Sequence, residues 1–371
     1  MVLRSRRCDE TKPICSHCSR LQLPCIYDRA VSDSNSSSPT ENGGQQQNKS
    51  TVETIVDPPE SESRRKLELK LFHQYMTDTG PSIIMDSITS NFWISTICRL
   101  ALKSDATLYA IYMVAALHAH QRSNYTDNKA LDACQTYLNM AIREHHKDVA
   151  DINPDNIEYI CLTSSMLRLY GFDQLQRRSL EQYTPPVGLL RITGASTALF
   201  RKAWDLIQGN TESVAYKMIE SAADLLEDNY SQELPDDLKP LMNREKPHEL
   251  EELWDADTED AYARSLSLIG RIRSFIDREN ISKSIGRRTI VFPMMMRMKF
   301  ADLVEELRPR ALVILAYYFA LLSMLSEFWW IGDSGAREIR AIEKILPDEW
   351  QGWLEWPRSI LQQDVIMDGD T

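Results

Sequence analysis

The chain is expected to be all-α over most of its length, and three observations carry that expectation. From Arg64 onward apolar residues recur three and four positions apart, the period of a helix with one buried face, and the alternation of a half-buried strand is not found. Helix starts are marked, with Ser104 or Asp105, the pair Asn153-Pro154, and Pro309 standing before apolar runs. Of the 371 residues 43% are apolar, which is enough for a sizeable core. Four parts are read in order: a cysteine-bearing module at 1–28, a disordered linker at 29–62, a large helical body at 63–358, and a flexible acidic tail at 359–371.

The first part is set by Cys8, Cys15, Cys18 and Cys25, spaced C-x6-C-x2-C-x6-C. Thiolates are soft ligands that suit zinc, and two of them separated by two residues can chelate one ion from a single tight turn. The alternatives are a disulfide framework or scattered buried thiols, and the missing signal peptide argues against the first. His17, between two of the cysteines, is read as a surface residue. Charge is uneven: the net value is −12, yet the first thirty residues carry +3 and the remainder −15. That asymmetry fits a small basic reader of nucleic acid on an acidic body that does not itself touch phosphates.

In RSRRCDETKPICSHCSRLQLPC the chain resembles the fungal zinc binuclear cluster transcription factors. In that family six cysteines hold two zinc ions, two of the thiolates bridging, and a short basic helix enters the major groove. The resemblance implies that Cys8, Cys15, Cys18 and Cys25 are the third to sixth of these ligands. It also implies that Arg4, Arg6, Arg7 and Lys12 face DNA, Arg7 standing where a base-contacting lysine is common. The family's C-x2-C pair ahead of the basic segment would place its second cysteine at Met1. The expectation is therefore an N-terminally truncated motif, from a gene model lacking an upstream exon or from a natural isoform. Four cysteines are then expected to hold at most one zinc ion, against two in the complete motif.

After Tyr27 the composition turns to SDSNSSSPTENGGQQQNKS, which cannot bury enough surface to offset ordering entropy and shows no heptads. Leu67, Leu71 and Tyr75 then form one stripe; Leu108, Ile111, Tyr112, Ala115 and Ala116 build the next helix. A third helix spans about Asp127 to His146, and a fourth begins at Asn153-Pro154 and is expected to stop at Gly171. Residues 184–207 read as a broken helix pair or a loop entering a helix, because of their Pro-Pro start and two glycines. Residues 228–256 read as a polar surface connection. Helices resume near Thr258 and at the methionine-rich MMMRMKFADLVEEL. The most apolar helix starts at Pro309 and is expected to end near Gly332, and a last one covers about Ala336 to Leu346. The longest apolar run, Ala311 to Leu322, is too short for a membrane span.

The body resembles the C-terminal fungal-specific regulatory domain that accompanies zinc clusters, of the type found in sterol-uptake regulators. The resemblance rests on ELKLFHQYM, DATLYAIYMVAALHAHQ, KALDACQTYLNMAIRE, ICLTSSMLRLYG and RPRALVILAYYFALLSMLSEFWWIG with the closing DEWQGWLEWP. It implies an α-helical effector and dimerisation domain, which in some members binds a small lipophilic ligand.

Other motifs carry less. His118 and His120 lie two apart on a helix and so point about 200° from each other, which is poor geometry for a metal; His118, His120, His145 and His146 read as a solvated helix end. Cys98, Cys134 and Cys161 are singletons on apolar stretches and read as buried, inert thiols. No G-x-S-x-G, H-E-x-x-H, P-loop or dinucleotide glycine fingerprint occurs, and no enzyme is expected. Methionines before the long apolar helix and tryptophans after it suit an apolar ligand pocket or a plain core. If a pocket forms, Met294, Met298, Tyr317, Tyr318 and Phe328 are its expected walls.

The two resemblances thus imply a fungal, nuclear, zinc-dependent regulator of RNA polymerase II genes that reads CGG-like triplets on the condition that its cluster is complete. Its helical body would act in ligand response, homodimerisation or contact with the transcription machinery, and no membrane is involved. The alternative is a helical ligand-binding or interaction protein that does not bind DNA and regulates a full-length partner.

Overall fold

The computed structural model describes residues 60–85, 90–220, 225, 234–276 and 284–367. All of them belong to a unit spanning Asp57–Thr371, and among them helices and turns occur with no strand.

Helix α1 (Glu62–Gln74) begins where Ser61 Oγ accepts from Arg64 N at 3.2 Å. Its stripe sinks progressively: Leu67 stays exposed, while Leu71 and Tyr75 are buried. The chain then widens into a π-helical turn, Tyr75–Thr79, before Gly80. A Cβ on Gly80 would lie 2.7 Å from Trp93 O, so glycine lets this turn press against the segment that leads into α2 (Ile97–Ala101). Helix α3 (Asp105–Arg122) is capped by Ser104, whose Oγ accepts from Thr107 N, and α4 (Asn128–Ala150) by Asp127, whose carboxylate accepts from Ala130 N at 3.1 Å. The two helices pack along their length, and α5 (Ile157–Arg177) lies against both.

Two expectations change here. Asn153 and Pro154 form a turn before α5, in which Asn156 Oδ1 accepts from Asn153 N, so the helix starts at Ile157. Nor does α5 stop at Gly171. A Cβ there would sit 3.0 Å from Leu189 Cδ1, so this glycine serves the crossing with α6 (Val187–Ile207) and the helix runs on to Arg177. Helix α6 itself is continuous where a broken pair is expected. Its Pro185-Pro186 precedes the first turn, where a missing N–H costs nothing, and a helical glycine costs only about 1 kcal/mol.

Helix α7 (Val214–Glu220) follows, and after the irregular stretch 234–255 come α8 (Ala256–Ile276), α9 (Ser284–Met295) and α10 (Met298–Glu305). Of these α8, α9 and α10 pack against α11 (Pro309–Ser323), which is buried from Arg310 to Ser323 and forms the axis of the core. A helix apolar on every side is one covered on every side. It ends at Ser323, not near Gly332; residues 324–333 form successive turns that pin the core. In them Gln176 Nε2 donates to Trp329 O at 2.8 Å, and Trp329 Nε1 donates to Ser82 Oγ at 3.0 Å. Helix α12 (Ser334–Ile345) lies against α11, and α13 (Glu355–Met367) continues as helix past the point where a flexible tail is expected to begin, at residue 359.

Candidate functional site

The cysteine module, with Cys8, Cys15, Cys18, Cys25, Arg4, Arg6, Arg7 and Lys12, lies outside the described residues, as do residues 29–59 of the linker expected at 29–62, whose last residue, Glu62, already belongs to α1. Among the described residues no group of three or more His, Cys, Asp or Glu could hold a metal ion.

The body contains a cavity of about 90 Å³. Its walls follow from helical spacing. Ser165, Arg168 and Leu169 of α5 fall at i, i+3 and i+4, and Arg287, Ile290, Val291 and Met294 of α9 at i, i+3, i+4 and i+7, so each set shares one face. Phe200 of α6, Met218 and Ile219 of α7, and Trp330 close other sides. Trp330 is itself fixed edge-on to Phe172, with ring centroids 5.5 Å apart.

Arg168 is the unusual wall residue. Its Nη2 donates to Ser165 Oγ at 2.9 Å, and Ser165 Oγ in turn donates to Cys161 O at 2.8 Å, which fixes the guanidinium at one corner. The guanidinium carbon lies 5.1 Å from the Phe200 ring centroid, a cation–π contact. Nε and Nη1 are buried and have no hydrogen-bond partner among the described residues. Burial lowers its pKa to about 10, which leaves it charged at neutral pH.

Of the five expected pocket residues only Met294 lines this cavity. Tyr318 is stacked on Phe292 in the core at 4.5 Å, and Phe328 lies one ring behind the wall, 6.1 Å from Trp330. Tyr317 stacks on Trp356 beneath Arg273, and Met298 is an exposed residue at the start of α10. Ile83, Trp93, Ser165 and Arg168 were missed. A signal for Arg168 was present: Cys161, Ser165, Arg168 and Phe172 fall at i, i+4, i+7 and i+11, which puts one charge on an otherwise buried face of α5.

The histidines are not a solvated helix end. Of the four singled out, His118, His120 and His145 are buried and His146 is exposed. Each buried ring has a local polar partner: Thr79 Oγ1 lies 3.0 Å from His118 Nδ1, Asp127 O lies 2.9 Å from His120 Nδ1, and Ser164 Oγ lies 2.9 Å from His145 Nε2. Cys98, Cys134 and Cys161 are buried and free, and burial pushes their thiols up to about 11, 12 and 12, so they are poor nucleophiles.

Residues 3–34 match the fungal Zn(2)-Cys(6) binuclear cluster domain, and residues 70–174, the end of α1 through most of α5, match the fungal specific transcription factor domain. This order of parts makes the chain a DNA-binding transcriptional regulator of the fungal Zn(2)-Cys(6) type, a non-enzymatic class whose cluster domain implies zinc and whose work implies the nucleus. Over 322 residues the chain is 26% identical to the Zn(2)-C6 fungal-type transcription factor afumD of Aspergillus fumigatus, covering 85% of this chain and 82% of that one. Over 333 residues it is 25% identical to a Zn(2)-C6 fungal-type transcription factor of Gibberella zeae, covering 83% of this chain and 63% of that one. No helix among the described residues is long and apolar enough to cross a membrane.

Proposed function

We propose that zinc held by Cys8, Cys15, Cys18 and Cys25 shapes the N-terminal module, that Arg4, Arg6, Arg7 and Lys12 carry its contact with CGG-like triplets, and that the helical body is a ligand-responsive effector. The observation that carries this reading is the succession, in one chain, of a basic cluster domain and an acidic helical domain that encloses a cavity. The four thiolates are a soft donor set suited to zinc, and a module this small owes its folding to the metal. Arginines on its surface release counterions from the phosphates, and one of them can pair with guanine O6 and N7. The body's likeness to sterol-uptake regulators supports a ligand of apolar character, and homodimer and transcription-machinery contacts fall to its outer surface.

The test combines elemental analysis of the purified chain with anisotropy titrations of CGG-bearing duplex over a range of salt. About one zinc per chain is expected, lost in Cys15→Ser together with DNA binding. Arg7→Ala should make the salt dependence shallower by about one unit of slope. Zinc-loaded protein that binds no duplex would overturn the reading of Arg4, Arg6, Arg7 and Lys12. A metal-free chain that binds none would give way to the alternative of a helical regulator acting on a partner.

A further inference from the structure

Among the described residues the cavity walled by α5, α6, α7 and α9 is lined by apolar side chains, two arginines and a serine, with no acidic side chain. One of the arginines, Arg168, presents two buried donor nitrogens with no partner among the described residues. Arg168 is half-buried as a residue, yet a cation partly withdrawn from water without an anion is costly, and a buried donor left unpaired loses its full hydration. A hydrocarbon ligand would leave that cost standing, and a lone hydroxyl would meet it only in part. An acid would supply both the missing charge and the missing acceptors, because a carboxylate accepts from two nitrogens at once.

Size narrows the choice. About 90 Å³ is below the range of roughly 300–1,000 Å³ typical of pockets for drug-sized ligands, and nearer the roughly 150 Å³ that admits a single benzene ring. We propose that this cavity binds a compact carboxylic acid, an apolar body of one ring or a short chain bearing one carboxylate, with Arg168 as its counter-ion. Ser165 is the positioning residue: it accepts from Nη2 while its own proton is committed to Cys161 O, so the guanidinium is held by one corner and the remaining donors are left for the ligand. This inference rests on the reading of the body as ligand-responsive and adds the charge and size of the ligand.

The probes are hexanoate and its neutral counterpart 1-hexanol, titrated calorimetrically into the full chain at pH 7. Hexanoate is expected to bind at least tenfold more tightly than hexanol. In Arg168→Met that preference should vanish, with hexanoate weakened tenfold or more and hexanol unchanged. Should Arg168→Met fail to fold, Val291→Phe, which fills the cavity and leaves Arg168 in place, is expected to abolish the binding of both. Equal binding of acid and alcohol, both lost in Val291→Phe, overturns the assignment of an acid and leaves the ligand cavity standing. Hexanoate binding that survives Val291→Phe or Arg168→Met places the acid elsewhere and overturns the proposal. Binding of neither probe removes both the proposal and the reading beneath it.

Discussion

His118 and His145 show what burial does to a single side chain. His118 is packed flat against Trp329, with centroids 4.6 Å apart, and burial with the nearby charge of Arg122 lowers its pKa to about 4. His145 is lowered to about 4 as well, by burial and by His146. An unfolded histidine titrates near 6.5, so between about 4 and 6.5 the unfolded chain binds more protons than the folded one. Their stabilisation is therefore complete above about 6.5 and lost as the pH falls toward 4. Glu338 acts in the opposite sense: burial raises it to about 7 against the lowering pull of Arg178, so its part is complete below about 4.5 and fades as the pH rises to 7. Comparing urea midpoints at pH 7 and pH 5 for the native chain and the double variant His118→Gln, His145→Gln isolates the histidines. The drop from pH 7 to pH 5 should be smaller in the variant; an equal drop would sink the assignment. Spacing along α3 was sufficient to reject a metal pair at His118 and His120, but it could not foresee their burial. For His118 that depends on Thr79 and Trp329, which are distant in sequence, whereas His120 packs against the turn that follows it, through Tyr125 and Asp127.

At the level of elements, close approach explains where the helices sit. Gly335, in the first turn of α12, lies so near α11 that a Cβ would come within 2.5 Å of both Phe319 O and Ser323 Oγ. A methyl group there has no room, and the helices must part. Gly335→Ala should lower unfolding free energy by about 1–3 kcal/mol or more. Gly209→Ala, where a Cβ meets nothing within 4 Å and φ is not positive, should be neutral or slightly stabilising, by about 0.4–1 kcal/mol. Chemical denaturation of both variants checks the pair; similar values would mean that the α11–α12 crossing is looser than described. The helical periods of α1 and α4 were legible because each buries one face, whereas α3, where a stripe is expected, is buried on every side from Ala110 to His118. The continuity of α5 and α6 was not, because Gly171 looks like a stop until the helix it packs against is known.

For the molecule as a whole, a buried ion pair holds the irregular stretch 234–255 to the central helix. Arg310 Nε donates to Glu252 Oε2 at 2.8 Å, both side chains being buried, and its Nη1 donates to Leu241 O and Asn243 O. Trp254 and Trp350 each lie 5.2 Å from the guanidinium carbon, and Tyr262 donates its hydroxyl proton to Glu252. The stretch is the surface connection expected, largely exposed and with short helical turns, and it is anchored to the core by this pair and by buried Leu238, Leu241 and Glu249. Arg310→Met leaves the Glu252 carboxylate buried and unpaired and should cost about 3–5 kcal/mol of global stability. A cost below about 1 kcal/mol, read from urea unfolding, would show that the stretch is held by its other contacts. Adding Glu252→Gln to Arg310→Met should restore part of the loss.

By itself the sequence determined the class of this protein and the kind of body it has. Cysteine spacing and helical period are local properties, and the C-x6-C-x2-C-x6-C run and the stripes from Arg64 onward can be read a few residues at a time. Only the tertiary structure decided which buried polar groups have partners. The methionines and aromatics nominated as a pocket largely became core: Tyr318 packs on Phe292 and Tyr317 on Trp356. The cavity opened instead beside Arg168, because a cavity is set by how helices fail to fill the space between them, and that is a property of several segments at once.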